Sequence, residues 1–138
     1  MRFMMLVIPK GYETATPGTM PDPKAVERMQ VYNESLQKAG VLLDMNGLHP
    51  PSMGARVTYA GGRPSVHDGP FAEAKEVLGG YWMIQVKSRE EAIEWAKRAP
   101  MGDNEIIEIR RVQEVEDFEP SEAIETFRRI SEDIAGRK

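Results

Sequence analysis

The chain contains no cysteine. That removes disulfides, thiolate metal ligands and cysteine nucleophiles together. Histidine is nearly as scarce: the two residues, His49 and His67, form no His-x-His or His-x-x-x-His pair, and the carboxylates are scattered. No metal site is expected from such spacing. Basic residues do not predominate, 18 Lys and Arg against 22 Asp and Glu for a net charge of −4, which argues against a nucleic-acid binder with a broad basic face. Long apolar runs are also missing. The longest near the start, Phe3 to Ile8, ends at Pro9-Lys10-Gly11, well short of the ~20 residues of a membrane span and too short for a signal-peptide core. No glycine-rich strand-to-helix turn for phosphate and no nucleophile elbow occurs. These absences lead to the expectation of a cytoplasmic protein with no cofactor, no metal, no nucleic-acid partner and no membrane association.

At 138 residues the chain suits one domain with a sizeable core. Phe3 to Ile8 is apolar at every position, as expected for a central strand covered on both faces. Residues 10–21 are rich in Pro, Gly and Thr and read as a loop, either a lid over one end of the sheet or a plain connection. Asp22-Pro23 is expected to open a helix, with Asp22 as N-cap and Pro23 in the first turn. Ala25, Met29, Tyr32, Leu36 and Ala39 lie on one stripe of it, and Gly40 ends it. Val41 to Met45 is a second strand, stopped by Asn46-Gly47. Ala55 to Tyr59 and Arg63 to Asp68 make a hairpin about Gly61-Gly62. Val77 to Val86 is the next strand, with Gly79-Gly80 marking a bulge or close backbone approach. Trp82, Ile84 and Val86 are predicted to face the helices, and Tyr81, Met83 and Gln85 the other side. Ser88-x-x-Glu91 signals a capped helix, and Glu105 to Val112 the last strand. Pro120-Ser121 then opens a terminal helix with Ile124, Phe127, Ile130 and Ile134 on one side, a stripe that needs cover from its own sheet or from a partner.

The densest run of chemically pointed residues is Val66-His67-Asp68-Gly69-Pro70-Phe71-Ala72-Glu73-Ala74-Lys75-Glu76, followed by Leu78-Gly79-Gly80-Tyr81. This run resembles the signature of the DGPF branch of the YCII-related domain family. Gly47-Leu48-His49-Pro50, Ser88 to Ala96 and Glu108-Ile109-Arg110 resemble further segments of that family, so the likeness covers residues 1–116 and leaves 117–138 as a helical extension. The resemblance implies an α+β fold: a ferredoxin-like split βαβ with an inserted β-hairpin that pairs into a dimeric α+β barrel, with the C-terminal helix added to it. A homodimer also follows from the sheet itself, because helices on one face leave the other bare. Relatives suspected of using a His–Asp pair in a cleft direct attention to His49 and Asp68.

Asp68, at a strand end beside a Gly-Pro turn, is the first candidate for acid–base catalysis. Its structural alternative is to bond the downstream backbone and build the turn. His49, between Leu48 and two prolines, is the second, since imidazole titrates near neutrality; the alternative is an exposed loop histidine. His67 should point away from Asp68, because successive side chains alternate along a strand. Phe71, Glu73, Lys75 and Tyr81 are the candidate contacts to an unknown small molecule, with a solvated charged turn as the alternative for Glu73 and Lys75. Beside a structural reading, an assembly module whose terminal helix recruits a partner, two functions remain open. One is a small-molecule enzyme using Asp68 and His49 in a dimer cleft. The other is a non-catalytic ligand-binding or accessory protein, in keeping with the extracytoplasmic-function sigma factors beside which DGPF relatives are often encoded.

Overall fold

The computed structural model describes residues 1–71 and 74–137. Among these residues six strands and three α-helices follow one another: β1 (Arg2–Ile8), α1 (Pro23–Lys38), β2 (Leu42–Gly47), β3 (Ala55–Ala60), β4 (Arg63–Asp68), β5 (Gly80–Gln85), α2 (Arg89–Lys97), β6 (Ile106–Arg111) and α3 (Glu122–Ala135). Four strands form an antiparallel sheet in the order β2-β5-β1-β6, and β3 and β4 pair separately as a hairpin. The protein is therefore α+β. No helix among the described residues is long and apolar enough to cross a membrane.

Helix α1 owes its ends to Pro23 and Gly40. Pro23 lies in the first turn, where its missing N–H costs nothing. The expected Asp22 side-chain cap is not made. At the other end Gly40 has φ 75°, its amide donates to Gln37 O, and the amide of Val41 donates to Leu36 O. This is a Schellman turn, and it folds Val41 onto the core beside Leu36. Ser88 does cap α2, accepting from the Glu91 amide at 3.1 Å, while Glu91 reaches back to the amide of Lys87. Ser121 caps α3 in the same way through Ile124.

The core lies between one face of the sheet and helices α1 and α2. Phe3, Met5, Trp82 and Ile84 from β1 and β5 meet Tyr32 and Leu36 of α1 and Ala92 of α2, with Ile107 and Ile109 of β6 packed at the side. Trp82 and Ile84 face the helices as their alternation predicts. β1 is central in the sheet but covered on one side only. Its alternate residues Met4, Leu6 and Ile8 form a half-buried apolar band with Tyr81 and Met83 on the uncovered face. Two of the strand boundaries that differ from expectation lie at glycines. β2 runs on through Asn46-Gly47, because both residues pair with β5. β5 begins only at Gly80, although Gly79 still donates to Val7 O and accepts from the Leu48 amide.

Residues beyond β6 are tied back to the first strand. Arg2 donates through Nε and Nη2 to both carboxylate oxygens of Glu114, at 2.7 and 2.9 Å. That bidentate bond lowers the Glu114 carboxyl from its ordinary value, with burial opposing it. A carboxyl lowered in the folded state stabilises the fold above its unfolded-state value and loses that contribution as pH falls through the folded-state value. The Tm deficit of Glu114→Gln should thus be largest above about pH 5 and shrink steadily below about pH 4. A deficit that stays constant or grows in acid contradicts this role.

Candidate functional site

The signature run lies where the hairpin returns to the body. Asp68 is the last residue of β4, pairs with Ala55 and is exposed. Gly69 then passes so close to the chain that a β-carbon on it would stand 1.7 Å from the carbonyl oxygen of Pro51. Its amide donates to Gly54 O at 2.9 Å, and the Gly69–Pro70 peptide is cis. Phe71 is half-buried, with the Arg56 guanidinium 4.0 Å above its ring centroid, a cation–π contact. Glu73 lies outside the described residues, and Lys75 is exposed.

Among the described residues the Asp68 carboxylate accepts no hydrogen bond, so the turn rests on Gly69 rather than on an Asp68 cap. His49 is exposed beside the fully buried Pro50, and no hydrogen bond joins it to Asp68. His67 points to the other side of the hairpin, with Nε2 3.1 Å from the Thr58 hydroxyl.

The loop of residues 10–21 is pinned rather than loose. Tyr12 Oη donates to Leu48 O at 2.5 Å, and Ser52 Oγ donates to Ala15 O at 2.8 Å. Burial raises the Tyr12 phenol above its usual value. Pro9 lies over Gly79, where a β-carbon would stand 2.4 Å from Pro9 Cγ. Glu13 Oε2 is buried here without a hydrogen-bond partner among the described residues.

Beyond this loop, between α1 and the β2–β5 edge, opens a cavity of about 430 Å³. Val7, Met29, Met45 and Trp82 supply apolar walls, and Pro21 of the loop borders it. Its polar groups are amides. Asn33 is buried, its Oδ1 accepts from Trp82 Nε1 at 2.7 Å, and its Nδ2 donates to Gln30 Oε1 at 3.2 Å. Gly47, Gly79 and Gly80 form one end, where a β-carbon on Gly80 would stand 2.8 Å from Asn46 O. The close backbone approach expected of Gly79-Gly80 is what shapes this end. Of the candidates read from the sequence, Tyr81 borders the cavity; Asp68, His49, Phe71 and Lys75 do not.

On the uncovered face of the sheet, Tyr81 Oη donates to Asp44 Oδ2 at 2.9 Å and accepts from Asn46 Nδ2 at 2.9 Å. Asp44 Oδ1 takes the Met45 amide at 2.9 Å. Sequence reasoning missed Asp44, Asn46 and Asn33. The signals were present: Asp44-x-Asn46 alternates along a strand, and Asn33 interrupts the apolar stripe of α1 four residues after Met29. Among the described residues no group of three or more His, Asp or Glu is placed to hold a metal ion.

Residues 1–116 match the YCII-related domain. Over 78 residues the chain is 37% identical to an uncharacterized protein of Rhizobium meliloti, covering 56% of this chain and 58% of the relative's own length.

The two halves of the signature should respond differently to mutation. Gly69→Ala forces backbone apart and should cost about 2 kcal/mol or more, lowering Tm by roughly 5 °C or more at matched protein concentration. Asp68→Ala should stay within about 0.5 kcal/mol of the parent. A larger loss from Asp68→Ala than from Gly69→Ala would return the turn to Asp68.

Proposed function

The chain belongs to the YCII-related domain family, and on that footing we propose that it is a small-molecule-binding protein that works as a homodimer. The observation that carries the reading is the cavity between α1 and the β2–β5 edge. Its volume of about 430 Å³ falls within the usual range for small-ligand sites, which join apolar walls to a few fixed polar groups. The amides of Asn33 and Gln30, held in a chain that starts at the Trp82 indole, supply those groups. The ligand class this favours is a compact, mainly apolar molecule with a carbonyl or hydroxyl for an amide to meet.

Binding is favoured over acid–base catalysis because Asp68 and His49 lie outside the cavity and no hydrogen bond among the described residues joins them. A receptor of this kind suits a cytoplasmic accessory role beside an extracytoplasmic-function sigma factor, as the likeness to DGPF proteins implies. The strand order β2-β5-β1-β6 fits a ferredoxin-like plan. The band of Met4, Leu6, Ile8 and Met83 on the uncovered face supports pairing sheet against sheet into a dimeric α+β barrel, since an apolar patch of this kind is usually an interface.

Trp82 makes the proposal measurable, since it lines the cavity and the only other tryptophan is Trp95. In a Trp95→Phe background, titration with a panel of small aromatic acids, phenols and lactones should give a saturable change in Trp82 fluorescence for at least one compound. Ala25→Phe, which fills the cavity, should weaken that response by about tenfold or more, and Asp68→Ala should leave it unchanged. Loss of binding in Asp68→Ala with Ala25→Phe unaffected would move the site to the signature turn. A panel without any saturable response would count against the receptor.

A further inference from the structure

The hydrogen bonds at the wall of the cavity run in one direction only. An indole N–H donates and never accepts. Trp82 Nε1 therefore decides which end of the Asn33 amide it meets, and Oδ1 accepts from it at 2.7 Å. Asn33 is 8% exposed, and turning its amide over would set N–H against N–H in the core. The Nδ2 end must then donate, and it does so to Gln30 Oε1 at 3.2 Å. Gln30 lies three residues earlier, on the same face of α1. With its oxygen taken, what it has left to offer is the N–H groups of Nε2. Among the described residues the Gln30 side chain makes no other hydrogen bond.

Other polar groups around the cavity are already engaged. At the glycine end, the Gly79 amide donates to Val7 O at 2.8 Å and Gly79 O accepts from the Leu48 amide at 2.9 Å. The Tyr81 hydroxyl and the Asn46 side-chain amide bond each other and Asp44 on the uncovered face of the sheet. Among the described residues no charged side chain lines the cavity. A ligand therefore meets apolar walls and one free polar group, and that group is a donor.

We infer that the ligand is a neutral molecule recognised through a carbonyl oxygen, as in a ketone, ester or lactone, which accepts from Gln30 Nε2. This rests on the reading of the cavity as a receptor site and narrows its ligand class. A carbonyl oxygen matches what Gln30 offers, because it accepts and has no proton of its own to place. A hydroxyl oxygen also accepts, but its proton then needs an acceptor. The apolar walls supply only the sulfurs of Met29 and Met45, which accept weakly, and a buried donor without a partner is costly. An ionised carboxylate accepts well, yet it would give up its hydration with no cation to meet it. An ammonium would find neither a counter-charge nor a free acceptor.

Matched ligands test this in the full-length Trp95→Phe protein, with Trp82 fluorescence as the readout. Cyclohexyl methyl ketone is compared with the alcohol made by its reduction, and methyl cyclohexanecarboxylate with the free acid near neutral pH. The ketone and the ester should each bind about tenfold or more tightly than their counterparts. Gln30→Glu, at an exposed position of α1, reverses the polarity: one carboxylate oxygen still takes the Asn33 N–H, and the other presents an acceptor in place of the donor. In that variant the ketone should weaken by about tenfold while the alcohol holds or gains. An alcohol or carboxylate that binds the Trp95→Phe protein as tightly as its counterpart would overturn the inference and leave the receptor standing. So would a ratio of ketone to alcohol affinity that Gln30→Glu leaves unchanged. No saturable response to any of these compounds would instead remove the receptor, and the inference with it.

Discussion

The structure turns on the buried hydrogen bond from the Trp82 indole to Asn33. Trp82 is in the middle of the covered face, 3% exposed, and an indole N–H buried without a partner is costly. Asn33 satisfies it at 2.7 Å. Tyr32 packs edge-on against the same indole at 5.1 Å and donates its hydroxyl to Trp95 O in α2 at 2.6 Å. Burial pushes that phenol up to about 12, with Arg98 opposing, so it stays a donor throughout the ordinary pH range. Through two adjacent residues, α1 is fixed both to the sheet and to α2. The same bond aims the remaining amide of Asn33 toward Gln30 at the cavity wall. The packing of the core and the polarity of the site are consequences of one contact.

The sheet divides the molecule into a finished side and an unfinished one. On the finished side, Phe3, Met5, Trp82 and Ile84 have helices over them. On the other, Met4, Leu6 and Met83 are half-buried by their neighbours alone, bordered by Asp44 and Asn46 along β2 and by Glu108 and Arg110 along β6. An apolar centre with a polar margin is the anatomy of an interface. Apolar residues of the hairpin and of α3 are likewise exposed.

Much of this was legible in the sequence because it depends on local period and local chemistry. Alternation along Tyr81 to Val86 separated the covered from the uncovered residues, Ser88 and Ser121 marked the starts of two helices, and Gly61-Gly62 gave a tight hairpin turn with φ 59° and 76°. Asp22 misled because a capping residue type is no guarantee of a cap when the following proline already fixes the entry of the chain. Asp68 drew attention by its neighbours, yet the constraint at that turn is steric and belongs to Gly69, whose contact with Pro51 joins segments 18 residues apart. The cavity was not legible at all. Its walls come from β1, α1, β2 and β5, and only the strand order brings these together. Glu13 gave no sequence signal either, since its burial depends on how the loop folds against residues 48–52.

The proposed cover of the open sheet face by a second copy is directly open to measurement. Sedimentation equilibrium of the full-length protein at low micromolar concentration tests it. A mass of twice the 15.5 kDa chain, holding on further dilution, is the predicted result. A mass of one chain throughout the micromolar range would contradict it, and would leave the band of Met4, Leu6, Ile8 and Met83 without the cover on which the account depends.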